Sequence, residues 1–228
     1  MPFFYYAELK NAHGSTEMDD DMRRHVVTVL RMQAGEKIML IDGLGCSAEA
    51  TIERADKKIL LVSIGQKQTH PAPPHRKALA ISILKNPARF EWMLEKVTEI
   101  GITDIIPMIS ERTERVHFRE ERMRQIVVSA SLQSKQYWMP VLQSPSTFEN
   151  IIAVTTFEKK YIAHCLEEDK STLHKQESDI LLLIGPEGDF TPDEIRQSLD
   201  QGFHPVTLGD SRLRTETAGV VGAVLMCI

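Results

Sequence analysis

Pro71, Pro73 and Pro74 fall within four residues of one another, inside the stretch Gln68–His75. Proline fixes φ and has no backbone N–H, so this stretch can neither continue a helix nor pair inside a sheet. It divides the chain of 228 residues into two expected domains, 1–72 and 73–228. At 42% hydrophobic and 26% charged, the chain can bury a core. No apolar run approaches the roughly 20 residues of a membrane helix. The segment Met1-Pro2-Phe3-Phe4-Tyr5-Tyr6 has no basic region and does not read as a signal peptide. Cys46, Cys165 and Cys227 are far apart with no CxxC spacing, so a reducing cytoplasm is expected and a metal site is not.

Ahead of the prolines the pattern is strand-like. Lys37–Ile41 ends in the turn dipeptide Asp42-Gly43, and Ser47–Glu53 and Ile59–Ile64 follow. With one helix near Asp19–His25, these short strands predict a small β-barrel. The net charge is -5, which argues mildly against a nucleic-acid partner. The distribution softens this: residues 1–77 hold 11 Lys and Arg against 10 Asp and Glu. Arg23, Arg24 and Arg31 cluster there, either as a basic patch or as solvated surface charge.

After the prolines, strands and helices alternate. Ala78–Leu84 reads as a strand, and Asn86-Pro87 caps and opens a helix that stops at Gly101. Ile102–Ile109 is the next strand, and a long helix is expected over 119–137. Strands follow at Tyr161–Cys165, Asp179–Ile184 and Pro205–Leu208. Thr191-Pro192-Asp193-Glu194 is a capping box that starts a helix ending at Gly202. Thr215–Ile228 is a last, apolar helix with Thr215 as its cap. The alternation predicts an α/β domain with a mainly parallel sheet.

Two loops follow buried strands and carry the chemistry. In Leu183-Ile184-Gly185-Pro186-Glu187-Gly188-Asp189-Phe190, the glycines permit positive φ and close backbone approach, and Pro186 stiffens the turn. Ligands of open α/β sheets bind at the carboxyl ends of strands, although a tight connection without a ligand reads equally well. The second loop, Leu208–Ala218, ends at a helix N-terminus where Arg214 meets a positive helix dipole. Something anionic or electron-rich is expected beside it. Ala218, Gly219 and Gly222 are small enough for close packing, within the domain or between subunits. No GxGxxG follows the early strands, so a nicotinamide-dependent Rossmann enzyme is not expected.

Taken together, Gly185-Pro186-Glu187-Gly188 with Phe190, then Leu208-Gly209 and Leu213-Arg214-Thr215-Glu216-Thr217-Ala218, resemble the ribosomal RNA small-subunit methyltransferase E family. His25–Arg31, Asp42-Gly43, Glu95–Gly101, Ser110–Thr113 and Gln133-Ser134 are similar to further segments of that family, so the resemblance spans both domains. Asp189 stands where the family has glycine, Asp210-Ser211 replace its Pro-Arg, and Leu132 and Gln136 replace its Glu and Arg.

The resemblance implies an N-terminal PUA-like β-barrel and a C-terminal SPOUT α/β domain with a deep trefoil knot. It implies a homodimer that uses S-adenosylmethionine to methylate N3 of a uridine in 16S rRNA, free or in the assembled small ribosomal subunit. Uridine N3 lies on the Watson–Crick edge, so the base must be unpaired or flipped out. Leu183, Ile184, Gly185, Pro186, Glu187, Gly188, Leu208, Gly209, Leu213 and Thr217 are then expected at the cofactor. Arg214 is the first catalytic candidate, stabilising charge on the uracil oxygens. Glu216 is the second: it orients Arg214, accepts the proton, or is a first-turn helix carboxylate. Arg112, Arg115, Arg119 and Arg122 either lead RNA phosphates to the site or pair with Glu111, Glu114, Glu120 and Glu121. Two alternatives remain open: a SPOUT methyltransferase with another RNA target or a ribose 2′-oxygen target, and a non-catalytic RNA-binding assembly factor.

Overall fold

The five-residue apolar run Ile180–Ile184 before Gly185 becomes the central strand of a parallel sheet in the computed structural model, which describes residues 1–114, 116–166 and 169–228. The chain folds into two units. One is Met1–Ala72 with Ser131–Met139, and the other is Pro73–Ala130 with Pro140–Ile228. Cutting the sequence once, at the prolines, does not include the return of Ser131–Met139 to the first unit.

The first unit contains β1 (Phe3–Tyr5), β2 (Gly14–Glu17), α1 (Asp20–Arg24), β3 (Lys37–Ile41), β4 (Cys46–Ala55) and β5 (Leu60–Thr69). The pairing order is β1-β3-β4-β5-β2, antiparallel except for β1 on β3. Asp19 caps α1 by accepting from the Met22 N–H at 2.8 Å. The expected turn at Asp42-Gly43 is present: Asp42 Oδ1 accepts from the N–H groups of Leu44 and Cys46 at 2.7 and 2.9 Å. Gly45, at φ 89, leaves room for Trp138, whose ring a Cβ would meet at 2.5 Å. The Trp138 indole donates to the His70 carbonyl, and Tyr137 stacks on the His70 ring at 3.5 Å.

The second unit runs β6 (Lys77–Ser82), α2 (Pro87–Ile100), β7 (Asp104–Ile109), α3 (Glu120–Gln133), β8 (Val141–Leu142), β9 (Ser146–Thr147) and α4 (Phe148–Val154). It continues with β10 (Lys159–Ala163), β11 (Ser171–Thr172), β12 (Ile180–Ile184), α5 (Pro192–Asp200), β13 (His204–Thr207) and α6 (Thr215–Cys227). All its strand pairings are parallel, in the order β11-β13-β10-β12-β6-β7-β8 with β9 beside β7. Successive residues of β12 face opposite sides of the sheet. Ile180, Leu182 and Ile184 pack with α2, α3 and α6. Leu181 and Leu183 pack with α4 and α5 around Phe148 and Phe190. Fully burying each such phenylalanine contributes about 1.5–3 kcal/mol.

The expected Asn86 cap, the left-handed Gly101 and the Thr191–Glu194 capping box are all present. Three readings need correction. The helix expected over 119–137 ends at Gln133, and Lys135 turns the chain at φ 58. Thr215 is not the cap of α6: Arg214 holds that position, without a side-chain bond, and Thr215 is the first helical residue. Gly185 and Gly188 do not take positive φ; the left-handed residue of their loop is Asp189, at φ 64. The small residues of α6 pack within the unit: a Cβ on Gly222 would lie 2.4 Å from Leu182, and one on Gly219 2.8 Å from Ile81. No helix among the described residues is long and apolar enough to cross a membrane.

Candidate functional site

The strand order places the carboxyl ends of β13, β10 and β12 side by side. α6 packs on β6 and β12, so the chain leaving β13 must cross the end of β10 to reach it. That crossing segment, Leu208–Arg214, closes over the loop that follows β12. Between them lies a cavity of about 830 Å³, within the size range of small-molecule sites.

Of the residues expected at a cofactor, Ile184, Gly185, Pro186, Glu187, Leu208, Gly209 and Leu213 line this cavity. Leu183, Gly188 and Thr217 do not. Leu183 points to the opposite face of the sheet, into the α4–α5 core, as the alternation of a strand requires. Gly188 is exposed on the outer side of its loop, where a Cβ would touch Arg112 at an ordinary 3.4 Å. Gly185 is required by space: a Cβ there would lie 3.1 Å from both the ring and the backbone nitrogen of Phe190. Gly209 is required by its φ of 139. Its turn is tied by Thr207, whose hydroxyl donates to the Gly209 carbonyl at 2.9 Å.

The loop after β12 is held from three sides. The Asp189 N–H donates to the Pro186 carbonyl at 3.0 Å. Arg112 Nη1 donates to the Gly188 carbonyl at 2.8 Å. The Asp189 carboxylate accepts from the Cys165 N–H at 2.8 Å. Arg112 is therefore engaged in holding the loop. Glu187 is exposed and accepts weakly from the Lys85 N–H at 3.3 Å.

Arg214 is exposed on the cavity wall at the start of α6. Glu216 is buried and is not part of that wall. Its Oε1 lies 3.6 Å from Arg89 Nε, and its Oε2 has no hydrogen-bond partner among the described residues. Arg122 pairs with Glu91 at 2.9 Å, Arg119 is exposed, and Arg115 lies outside the described residues. In the first unit, Arg23 pairs with Asp20 and donates to the Lys57 carbonyl, Arg24 pairs with Asp21, and Arg31 is exposed at φ 56.

Sequence reasoning missed Arg89, Lys170 and, at the end of β10, Ala163 and Cys165. Ala163, His164 and Cys165 line the cavity, and Lys170 closes that end by donating to the His164 carbonyl at 2.7 Å. Burial, and secondarily Asp189, push the Cys165 thiol above its ordinary range, against the pull of Arg212 and Lys170. These residues are far apart in sequence, and only the strand order brings them together.

Residues 71–226 match an RNA methyltransferase domain family, and residues 19–65 match an RNA methyltransferase PUA domain family. Ribosomal RNA small subunit methyltransferase E of Synechocystis sp. is 31% identical over 204 residues, covering 85% of this chain; the chain spans 66% of that relative's length. The fold superposes on a probable rRNA-methyltransferase from Porphyromonas gingivalis with a TM-score of 0.90 at 38% identity, covering 98% of this chain and 95% of the other. It superposes on ribosomal RNA small subunit methyltransferase E from Neisseria gonorrhoeae, a structure bound to S-adenosyl methionine, with a TM-score of 0.87 at 32% identity and the same coverage. Two loops closing on the end of a parallel sheet, carried by a sequence with these relatives, leave one assignment: the chain belongs to the ribosomal RNA small subunit methyltransferase E family of RNA methyltransferases.

Proposed function

We propose that this chain transfers a methyl group from S-adenosylmethionine to N3 of a uridine in small-subunit 16S ribosomal RNA. The observation that carries this reading is the convergence of the Gly185–Glu187 and Leu208–Leu213 loops on one cavity beside Arg214. The donor set suits the cofactor. Ile184, Val206, Leu208, Leu213 and Ala218 offer apolar surface to a purine. Gly209 presents no Cβ to the cavity, so backbone groups can approach a ligand there. Glu187, Asp189 and Asp210 supply carboxylates for a cationic ligand.

When bound, the cofactor supplies an electrophilic methyl on a sulfonium centre. The protein's work is then alignment and charge stabilisation. Uridine N3 loses its proton to water, its electron pair forms the new N–C bond, and the pair of the broken S–C bond stays on sulfur. Arg214 stands where it can donate to a uracil oxygen as negative charge develops. Arg24 and Arg31, exposed in the PUA-like unit, serve as phosphate contacts. Arg23 is largely occupied by Asp20 and Lys57. Arg119 extends the same role in the second unit.

Three further features rest on the family resemblance: closure of the first unit into a barrel, a homodimer, and a trefoil knot formed by the C-terminal segment. The return of the chain across the end of β10 to reach α6 supports the knot. The reading also places the protein in the cytoplasm, where its RNA is.

The test is mass mapping of small-subunit RNA from a strain lacking the protein, with and without the restored chain. A methyl group appearing on N3 of one uridine only in the restored strain is expected. A methyl on a ribose oxygen, on another RNA, or nowhere overturns the reading. Arg214→Ala should lower transfer by about 100-fold, the order found on removing one oxyanion donor, while binding of S-adenosylmethionine is retained.

A further inference from the structure

Resting on the uridine reading above, we propose that Arg89 contacts the target base and that Glu216 acts through it as a positioning residue. Arg89 lies in the first turn of α2, where its N–H bonds to the Asn86 carbonyl at 3.2 Å. Arg89 lines the cavity. Glu216, in the first turn of α6, stands behind it at 3.6 Å. The two side chains differ in exposure, at 41% for Arg89 and 9% for Glu216. The arginine therefore faces solvent in the cavity, and the carboxylate does not.

A charge-assisted hydrogen bond has a length of roughly 2.7–2.9 Å, so this pair is an electrostatic link rather than a saturated contact. Among the described residues the Arg89 guanidinium donates no hydrogen bond, which leaves its N–H groups free for a ligand. Glu216 Oε2, buried without a donor among the described residues, keeps the carboxylate's attraction directed at Arg89. A long side chain that would otherwise swing into solvent is held against the wall. The base of the pair is rigid, because α2 and α6 pack closely: a Cβ on Gly219 would lie 3.1 Å from Met93.

The chemistry this arrangement favours is an oxyanion. Arg89, Arg214 and the N-termini of α2 and α6 bring positive potential to one wall, where Glu216 is the buried carboxylate; Glu187, Asp189 and Asp210 line the cavity from its two loops. Loss of the N3 proton spreads negative charge onto the flanking uracil oxygens. Arg89 donates to one of these oxygens. With Arg89 on one of these oxygens and Arg214 on the other, cytosine would set its amino donor against an arginine, so the same wall disfavours cytosine.

The experiment uses the full-length protein, small subunits lacking the modification, and the variants Arg89→Ala, Arg89→Lys, Glu216→Gln and Arg89→Ala/Glu216→Gln. Arg89 is half exposed, so its variants are expected to keep the wild-type melting temperature. Arg89→Ala should lower kcat by about 100-fold with the Kd for S-adenosylmethionine changed less than about twofold. Part of the loss should return at alkaline pH, where hydroxide removes the N3 proton, and Arg89→Lys should restore part of it at neutral pH. Glu216→Gln should lower kcat by about tenfold in the native background and by nothing further beside Arg89→Ala, since residues acting as a unit are non-additive. Independent, additive losses would make Glu216 a structural residue and overturn the pairing. A weakened Kd for S-adenosylmethionine with kcat intact would give Arg89 to the cofactor. Unchanged kcat in Arg89→Ala, with wild-type product mapped to uridine N3, overturns this inference alone. Wild-type product at any other atom overturns the functional reading and this inference with it.

Discussion

The Asp189 carboxylate accepts a hydrogen bond from the Cys165 backbone N–H at 2.8 Å, tying the loop after β12 to the chain leaving β10. Both residues line the cavity, so one bond fixes the separation of two of its walls. Asp189 does this from φ 64, a region that aspartate tolerates better than most residues. Its other oxygen accepts from the Phe190 N–H at 2.9 Å.

Asp189→Ala keeps the backbone strain and loses both bonds. A cost of about 1–2 kcal/mol is expected, together with weaker binding of S-adenosylmethionine. Asp189→Gly loses the bonds and relieves the strain, so it should cost less. Asp189→Asn keeps an acceptor and should cost least. Denaturant unfolding and calorimetry rank the three; Ala outranking Gly would show that the left-handed φ does not decide the stability of this turn.

Gly185→Ala places a methyl 3.1 Å from the Phe190 ring and backbone nitrogen. Phe190 is 2% exposed in the α4–α5 core, so it cannot give way, and the cavity loop must move instead. Overpacking of this kind costs about 1–3 kcal/mol, and affinity for S-adenosylmethionine should fall more than about tenfold with it. Gly188→Ala serves as the contrast, because its methyl meets only the flexible Arg112 stem at 3.4 Å. Calorimetry that finds the two variants equal would refute the packing argument.

The residues whose geometry is local were legible in the sequence. Asn86, Gly101 and Thr191 act on their own helix ends, and the β12 run could only be a buried strand. What was not legible depends on strand order. Leu183 reads as a loop neighbour of Gly185, yet the pleat turns it away from the cavity. Cys165 and Arg89 enter the site only because β10 and β6 flank β12 and α2 packs on α6. Ser131–Tyr137 reads as the end of a helix, because the Gly45 turn that receives Trp138 is distant in sequence. Of the two reasons the sequence offers for Gly185, positive φ and close approach, only close approach applies, since a sequence marks a glycine without saying whether φ or space demands it.

Gly222→Ala tests the seating of α6. In a free helix this change gains about 1 kcal/mol from propensity. Here the methyl would lie 2.4 Å from Leu182 Cδ2, and Leu182 is fully buried. The steric cost of about 1–3 kcal/mol exceeds the propensity gain, so net destabilisation is expected. Since α6 carries Arg214 and Glu216 at its start, methyl transfer should fall as well. A raised melting temperature would mean that Leu182 repacks without cost.

Cys227, the last residue of α6, gives a pH signature for the same seating. Burial pushes its thiol up to about 11 from an ordinary 9.0, against the pull of Lys77 and Lys175. Below pH 9 the folded and unfolded chains both hold this proton. Between about 9 and 11 the unfolded chain releases it while the folded chain keeps it, so stability falls as pH rises through that window. Lys77 opposes this: burial lowers its pKa, so the folded chain releases that proton first and gains stability with rising pH. Comparing wild type with Cys227→Ala isolates the thiol. Denaturant unfolding should show the variant losing less stability than wild type across the window, and equal slopes would mean the thiol is not buried against the sheet.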